Sequence, residues 1–398
     1  MRLSFYNFLK LILLSCLFSY ANAIAKSDNN AAVKLYYGNI PTLVLSGSLR
    51  QMGVQYGASL RAQLKQELFI LEDYYIDQQH LTYSQLVTQA SLLYNRFPER
   101  YQVFMQGMAQ GSALSLNEVK ILNAMETLGE LLPDKPQEAC AFLFMPQQQT
   151  TTGGAFIGRN YDYAPPFDQL AKYLTVTVLK EPHKVATAFI SIAGEIYCPS
   201  CINAAGIFLE LNNGMPSGGT MVNHNTTSML AVMLETLRNS NSLTKVQNKL
   251  NHKNSDYSLI VNAANATADL SFEYSTNPIL GMHYYVPDAQ QNFVSTNFFL
   301  DSSWGDNIPV ATDANSWYGV TRRNNLLNLS AAATKFNLTD FKALMSTSIN
   351  SGGAVWDATI YQIIFDAATM NLYIRILSNP NTWEQIPLGE IFKQSESQ

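Results

Sequence analysis

Apolar and polar positions follow a helical pattern in the first third of the sequence. From Met52 onward, apolar side chains recur at four-residue steps as far as Leu68, which predicts an amphipathic helix. Ser115 is followed three residues later by Glu118 and then by an apolar run, a pattern typical of a capping box at a helix start. Residues 24–139 are therefore predicted to be mainly helical.

Downstream of residue 140, runs of β-branched and aromatic residues predict strands. Two of these runs are each followed by a second run after a short polar turn, which predicts antiparallel pairs. Strand pairs that alternate with helical stretches favour sheets covered by helices. The predicted strands are 173–179, 186–192, 206–211, 257–261 paired with 270–274, and 361–365 paired with 372–376, and the predicted helices are 229–238, 243–250 and 322–329.

The first residues have the pattern of a secretory signal peptide. Arg2 and Lys10 precede an apolar run over 11–17, and Ala21–Ala23 supplies a small-x-small cleavage site. Residues 1–23 are predicted to be removed, and the protein is expected to be exported into a periplasm or secreted. Lipidation at Cys16 is the alternative, which the residues before it fit poorly. No later stretch approaches the ~18 apolar residues of a membrane span.

The amino-acid composition argues against two classes of binding partner, nucleic acids and anionic lipids. Of the 398 residues 14% are charged, the formal net charge is -5, and no basic run occurs. This composition argues against general nucleic-acid binding and against a surface that grips anionic lipid. Apolar residues make up 47% of the chain, as in globular proteins.

Three cysteines remain after the predicted signal peptide: Cys140, Cys198 and Cys201. The spacing of the last two predicts a local structural disulfide rather than a redox site, and two cysteines without a histidine pair are too few for zinc. Cys140 is left unpaired. It is either a buried apolar thiol or a nucleophile, and cleavage of the Ala139–Cys140 bond would give it an α-amino group as its own base.

The sequence around Cys140 resembles a known enzyme family. Cys140-Ala141-Phe142 is followed, after a glycine-containing turn, by Gly158-Arg159-Asn160-Tyr161-Asp162. This order is similar to that of the N-terminal-nucleophile (Ntn) hydrolase cysteine amidases. They comprise choloylglycine hydrolases, penicillin acylases, acid-ceramidase-like amidases and the isopenicillin-N acyltransferase family. The segments 47–60 and 107–119 resemble the acyltransferase branch.

The resemblance implies an α+β fold, a four-layer αββα sandwich with an N-terminal helical segment. It implies cleavage before Cys140, which leaves a helical chain of 24–139 bound to a catalytic chain of 140–398. The implied reaction is attack of the thiol on a linear amide of a small-molecule N-acyl substrate, through an acyl thioester. No metal or organic cofactor is implied, and a homo-oligomer is compatible with the sequence.

Three residues of the Cys140 block take specific roles by resemblance. Cys140 matches the nucleophile, and Arg159 and Asp162 match the pair that contacts the thiol and the amine. A cation beside the sulfur favours the thiolate. A carboxylate favours the protonated amine and orients it.

Three further roles are assigned farther along the chain. The strand after Asn203-Ala204-Ala205-Gly206 resembles the one that ends in an oxyanion-hole asparagine, for which we prefer Asn212 over Asn213. Asn297 matches a second amide donor. Arg322, with Arg323 as the alternative, matches the arginine at a helix start.

The chain departs from the family pattern at two places. Ala141 stands where many relatives carry Thr or Ser, and the Cys198–Cys201 pair is unusual in the loop before the oxyanion strand. Two alternatives to hydrolysis remain open: acyl transfer to an amine, and an exported binding protein that retains the fold without the chemistry.

Overall fold

Two β-sheets packed face to face form the centre of the structure. The protein is described by a computed structural model that covers residues 31–133, 138–277, 279–378 and 382–394. The predicted signal peptide lies outside these residues. The paragraphs below number the helices and strands in chain order.

The first sheet has six strands, and each neighbouring pair is antiparallel. In spatial order they are β12 (Phe293–Ser295), β3 (Glu138–Met145), β4 (Phe156–Tyr163), β13 (Thr359–Asp366), β14 (Asn371–Ile376) and β15 (Glu384–Ile386).

The second sheet has nine strands, and it is antiparallel except between its second and third strands. In spatial order they are β1 (Val33–Tyr37), β2 (Ile40–Ser46), β5 (Leu174–Lys180), β6 (Thr187–Ile192), β7 (Ser200–Asn203), β8 (Phe208–Asn213), β9 (Leu259–Ala264), β10 (Asp269–Tyr274) and β11 (Met282–Tyr285).

Helices cover the outer face of each sheet. The N-terminal helices are α1 (Leu49–Ser59), α2 (Arg61–Glu72), α3 (Tyr83–Arg96), α4 (Glu99–Ser112), α5 (Leu116–Asn123) and α6 (Met125–Leu128). The later helices are α7 (Phe167–Leu170), α8 (Met215–Gly218), α9 (Met229–Arg238), α10 (Leu243–Leu250), α11 (Gly319–Ser330), α12 (Leu338–Ser346) and α13 (Leu388–Lys393). Helices α1, α9 and α10 pack on the nine-stranded sheet, and α11 and α12 pack on the six-stranded sheet.

Alternation along β3 explains why this strand is buried on both faces. Its even positions point between the sheets, where the Phe142 ring lies 6.4 Å from that of Phe208 in β8. Its odd positions, including Ala141 and Leu143, join the apolar cluster beneath α11 and α12. Side chains two apart on a strand share a face, so Cys140 points between the sheets with Phe142. The side chain at the unusual Ala141 therefore lies on the face opposite the thiol.

Helices α1 and α4 pack backbone to backbone at four glycines. A Cβ built on Gly53 would lie 2.1 Å from the carbonyl oxygen of Phe104, and one on Gly57 would lie 2.2 Å from that of Met108. Gly107 and Gly111 meet α1 in the same way. The glycines that carried the resemblance in segments 47–60 and 107–119 thus allow two helices to approach closely.

The predicted four-layer αββα architecture is confirmed. The capping box at Ser115 is also confirmed, with its side chain accepting from the backbone N–H of Glu118. The description of 24–139 as mainly helical misses β1 and β2, which join the nine-stranded sheet where β2 pairs in parallel with β5. Among the described residues, no helix combines the length and apolar character needed to cross a bilayer.

Candidate active site around Cys140

Cys140 lies near the start of β3, with its thiol at one wall of a cavity. It is 6% exposed and is the free cysteine of the described residues. Its backbone pairs with Tyr161 of β4, so Arg159, two residues away on β4, lies on the same face of the sheet. The local strand pairing therefore brings the thiol and the guanidinium together.

The Arg159 guanidinium is fully buried and contacts the thiol directly. Its Nη2 donates to Sγ of Cys140 at 3.2 Å and to the carbonyl oxygen of Leu211 at 2.7 Å. Its Nη1 donates to Oγ of Ser200 at 2.6 Å and to the carbonyl oxygen of Pro199. The Nε atom lies 3.4 Å from Oε2 of Glu210. Arg159 is thus held from several sides.

Burial outweighs the effect of Arg159 on the thiol of the uncut chain. Desolvation raises the pKa of the Cys140 thiol to about 11, and Arg159 opposes this rise. The Asp162 and Glu210 carboxylates raise the same pKa further. Arg159 thus favours the thiolate, as expected, but in the uncut chain burial and the two carboxylates outweigh its effect on the pKa.

A second buried arginine, Arg322, organises the other side of Cys140. Its Nη1 donates to Oδ2 of Asp162 at 2.7 Å and to the carbonyl oxygen of Cys140 at 3.0 Å. Its Nη2 donates to Oδ1 of Asn297 at 2.8 Å. Arg323 instead points its Nε at the carbonyl oxygen of Val294, away from these groups. Of the two candidate arginines, the structure places Arg322 at the site.

The turn before α11 sets the position of Arg322. Trp317 and Tyr318 both have positive φ, at 52° and 59°, a conformation that residues with a side chain rarely adopt. The Arg322 Nε donates to the carbonyl oxygen of Trp317 at 3.2 Å, which ties the side chain to this turn. Uncommon backbone conformations of this kind cluster at functional sites.

Asn297 contacts the bond that is predicted to be cleaved. The backbone N–H of Cys140 donates to Oδ1 of Asn297 at 3.0 Å, and Nδ2 of Asn297 donates to the carbonyl oxygen of Asn213 at 3.1 Å. After cleavage, the same Oδ1 would face the α-amino group of Cys140. The side-chain amide of Asn297 thereby links the backbone nitrogen of Cys140 to the end of β8.

The structure gives Asn212 and Asn213 different surroundings, and the preference for Asn212 stays a prediction. The cavity beside Cys140 is lined by Asn213, whereas Nδ2 of Asn212 lies 3.5 Å from Ser295 and is fully buried. Neighbouring residues on a strand point to opposite faces, so the side chains of Asn212 and Asn213 lie on different faces of β8. Asn212 shares its face of β8 with Phe208 and Glu210, which point toward the six-stranded sheet, whereas Asn213 lines the cavity, so both stay candidate donors.

Asp162 lies on the opposite face of β4 from Arg159, toward α11. One carboxylate oxygen binds Arg322, and the other, Oδ1, makes no hydrogen bond of normal geometry, although Thr359 and Trp356 lie near enough to lower its pKa. The net effect of burial is to raise the pKa of Asp162. Its Oδ1 oxygen therefore lies near Thr359 and Trp356, and its Oδ2 oxygen binds Arg322.

Sequence reasoning missed the buried acids of the site. Glu210 faces Arg159 and accepts from Nδ2 of Asn262 at 2.5 Å, and burial raises its pKa to about 7. Glu126, from the N-terminal helices, accepts from the Tyr161 hydroxyl, and burial raises its pKa. The single hint in the sequence is an acidic residue at an apolar strand position, as at Glu210.

The cavity has apolar walls and an acidic side. The N-terminal helices contribute Glu126, Thr127 and Glu130, so both predicted chains form it. The remaining lining residues are Cys140, Arg159, Tyr161, Asp162, Tyr163, Leu211, Asn213, Met215, Leu230, Tyr257 and Leu259.

The predicted disulfide between Cys198 and Cys201 is present, and it closes a loop next to Arg159. Within the described ranges, no cluster of three or more His, Cys, Asp or Glu side chains is arranged to hold a metal ion.

Comparison with solved structures finds enzymes of similar fold, and three of them are described below. A mutant of conjugated bile acid hydrolase from Clostridium perfringens is 12% identical, with a TM-score of 0.45 over 65% of this chain and 94% of its own. An N-acylethanolamine-hydrolyzing acid amidase ortholog from Caenorhabditis elegans is 12% identical, with a TM-score of 0.41 over 57% of this chain and 93% of its own.

Penicillin V acylase from Agrobacterium tumefaciens is 12% identical, with a TM-score of 0.43 over 61% of this chain and 84% of its own. No family model and no curated protein sequence matches the chain. The solved structures to which this chain is similar thus include a bile acid hydrolase, an acid amidase and a penicillin acylase.

Proposed function

We propose that this protein is an amidohydrolase that uses Cys140, released as an N-terminal residue, to cleave the linear C–N amide bond of an N-acyl substrate. The observation that supports this proposal most is the set of hydrogen-bond partners around Cys140. The sulfur of Cys140 contacts Arg159, its nitrogen binds Asn297 and its carbonyl oxygen binds Arg322. Each reactive group of Cys140 has a buried polar partner.

Maturation begins with the residue's own thiol. Sγ of Cys140 attacks the carbonyl carbon of Ala139, the Ala139–Cys140 bond breaks, and the nitrogen takes up the thiol proton. Water then hydrolyses the thioester, which restores the thiol and leaves a carboxylate on Ala139. The new α-amino group, with an ordinary pKa of about 7.7–8.0, is a base suited to neutral pH.

Turnover repeats this chemistry on an external amide. The amine takes the thiol proton, Sγ attacks the substrate carbonyl, and the side chains of Asn213 and Asn297 flank the reacting centre as candidate donors to the oxyanion. The leaving amine receives the proton, and water hydrolyses the acyl thioester. Asp162 holds the protonated amine, with Arg322 fixing the carboxylate.

The cavity supports an apolar acyl group as the part that is recognised. Leu211, Met215, Leu230 and Leu259 supply aliphatic surface beside the thiol. Ligand pockets combine such apolar walls with a few oriented polar groups. A series of N-acyl aminocoumarins of increasing chain length measures this preference, and equal kcat/KM across the series contradicts it.

Intact mass measurement tests the self-cleavage. We expect the wild type to give two fragments, the larger reading Cys-Ala-Phe-Leu by N-terminal sequencing. Cys140→Ala is expected to stay uncut and to show no amidase activity. Cleavage of Cys140→Ala at the same bond overturns the self-cleavage. An uncut wild type with full amidase activity overturns the role of the amine.

A second measurement tests whether cleavage activates the thiol. A partly processed sample is treated with a fluorescent iodoacetamide, and labelling is read separately in the uncut and cut bands on a denaturing gel. We expect faster labelling at pH 7 in the cut band, because burial holds the pKa of the thiol near 11 in the uncut chain. Adding an amine acceptor and analysing the products distinguishes acyl transfer from hydrolysis.

We also propose that the protein is exported to a periplasm or secreted after residues 1–23 are removed. The disulfide at Cys198–Cys201 supports an oxidising compartment. Cell fractionation tests this, with a variant lacking residues 2–23 as the control. Retention of the full-length protein inside the cell contradicts it.

A further inference from the structure

The loop closed by Cys198 and Cys201 has no role in the reaction proposed above. Both cysteines are fully buried, and they enclose only Pro199 and Ser200. A disulfide across three positions restrains little of the unfolded chain beyond those residues, since its stabilising effect grows with loop length. A local task is the better explanation of this loop.

Both groups that the loop presents inward bind the same side chain. Nη1 of Arg159 donates to Oγ of Ser200 at 2.6 Å and to the carbonyl oxygen of Pro199. Within the described residues, these two loop atoms are the acceptors of that nitrogen. The other terminal nitrogen, Nη2, donates to Sγ of Cys140. The guanidinium thus bridges the loop and the reacting sulfur.

The loop is itself attached to the strand on the far side of the guanidinium. Ser200 pairs with Glu210 in the β7–β8 ladder, and the backbone N–H of Leu211 donates to the carbonyl oxygen of Pro199 at 3.3 Å. The Glu210 carboxylate attracts the Nε edge of Arg159. A planar guanidinium held at both edges has one orientation, in which Nη2 points at the sulfur.

We propose that the disulfide-closed loop Cys198–Cys201 is a positioning element that holds the guanidinium of Arg159 against the sulfur of Cys140, with Ser200 as its key side chain. The proposal deepens the proposed function, since it concerns the same nucleophile. Pro199 acts through its carbonyl oxygen, and the disulfide keeps both acceptors facing inward.

Opening the loop changes the charge that the sulfur experiences. Arg159 lowers the pKa of the Cys140 thiol, whereas Glu210 and Asp162 raise it. Arg322, the other cation near the sulfur, remains paired with Asp162. If Arg159 loses its loop acceptors, it turns toward Glu210. The thiol then keeps both carboxylate neighbours and loses its direct donor.

The pH profile of Cys140 alkylation tests this proposal. Cys140 is the free thiol of a chain without residues 1–23, so iodoacetamide reports on it alone. We expect Ser200→Ala to slow labelling at pH 8 by about threefold to tenfold, because a lost bond to a charged group shifts the thiol pKa upward. The double variant Cys198→Ala, Cys201→Ala is expected to slow it at least as much.

Three further variants separate positioning from general structure. Ser258→Ala removes a buried hydroxyl that binds Thr276, away from Arg159, and should leave the labelling rate unchanged. Ser200→Thr retains the hydroxyl and should restore most of the rate. Arg159→Gln should slow labelling and abolish any further effect of Ser200→Ala.

An unchanged pH profile in Ser200→Ala and in the double cysteine variant overturns the proposal, even if both melt at lower temperature. Labelling does not require an amide substrate or chain cleavage. A failure of the proposed hydrolase function therefore appears in the mass and turnover assays, while the effect of the loop on the thiol is still read by alkylation.

Discussion

Replacing Arg322 with glutamine is expected to lower the free energy of unfolding by about 3–5 kcal/mol, the usual cost of breaking a buried ion pair from one side. The side chains of Arg322 and Asp162 are both fully buried, with 0% exposure to solvent. Nη1 of Arg322 lies 2.7 Å from Oδ2 of Asp162. The substitution leaves the Asp162 carboxylate without its cation. It also removes the donors to Cys140 and Asn297.

The neighbouring arginine supplies a matched control. Arg323→Gln removes one hydrogen bond from a partly exposed side chain to the Val294 carbonyl oxygen, for which roughly 1 kcal/mol is expected. Urea denaturation of both variants in the Cys140→Ala background keeps the chain uncut. The expected loss in the free energy of unfolding is therefore several-fold larger for Arg322→Gln than for Arg323→Gln, although the two residues are adjacent in sequence.

A double variant identifies the source of the loss. Asp162→Asn combined with Arg322→Gln removes both charges, so it should recover a large part of the stability lost in Arg322→Gln alone. The loss should also shrink toward low pH, because the pKa of Asp162 is already raised by burial and the acid protonates more readily without its cation. Equal losses for Arg322→Gln and Arg323→Gln, or strict additivity in the double variant, refute the reasoning.

Three further predictions concern other parts of the molecule. If Asn213, which lines the cavity, is the oxyanion donor, Asn213→Ala should lower kcat/KM by about 100- to 1000-fold, whereas Asn212→Ala should act mainly on stability; the reverse pattern in steady-state kinetics supports Asn212 as the donor. Gly57→Ala should destabilise by about 1–3 kcal/mol despite the better helix propensity of alanine, because its Cβ would meet the Met108 carbonyl oxygen at 2.2 Å; a higher melting temperature contradicts this packing. Glu67 is fully buried, no described residue donates a hydrogen bond to either of its carboxylate oxygens, and burial and Glu195 raise its pKa well above the ordinary value. Stability should therefore fall as pH rises from about 4.5 through the folded-state pKa, and Glu67→Gln should reduce this fall in denaturation curves between pH 4 and pH 8; an unchanged pH dependence contradicts it.

Periodicity predicts elements whose burial follows from their own sequence. The pair 257–261 and 270–274 forms β9 and β10, and the capping box at Ser115 begins α5 as expected. The prediction that 24–139 is mainly helical does not include strands β1 and β2, because these strands are defined by their pairing with each other and with β5. That parallel contact joins residues more than a hundred positions apart, which no local pattern reports.

In the candidate site, too, local sequence patterns predict some residues and leave out the partners from distant segments. Cys140, Arg159 and Asp162 lie on neighbouring strands, so a local motif contains them. The choice between Asn212 and Asn213 is a choice of strand face, and a one-residue shift reverses it. In the sequence, Glu210 is a charged residue in an apolar strand without an evident partner. The structure supplies the partner, because Arg159 lies beside it. Buried polar partners from distant segments are thus the part that sequence patterns leave out.

The charges around Cys140 explain why the cut, rather than the arginines, should create the nucleophile. Arg159 is paired with Glu210, and Arg322 is paired with Asp162, so two cations and two carboxylates nearly cancel around the sulfur. In such surroundings burial dominates and the thiol keeps its proton. The proposed cleavage would add an α-amine covalently attached beside the sulfur, and its new carboxylate would be on Ala139, in the other chain. Under the proposed mechanism, proton transfer from thiol to amine would then form an ammonium–thiolate pair, with Asp162 and Asn297 near its positive end and Arg159 near its negative end.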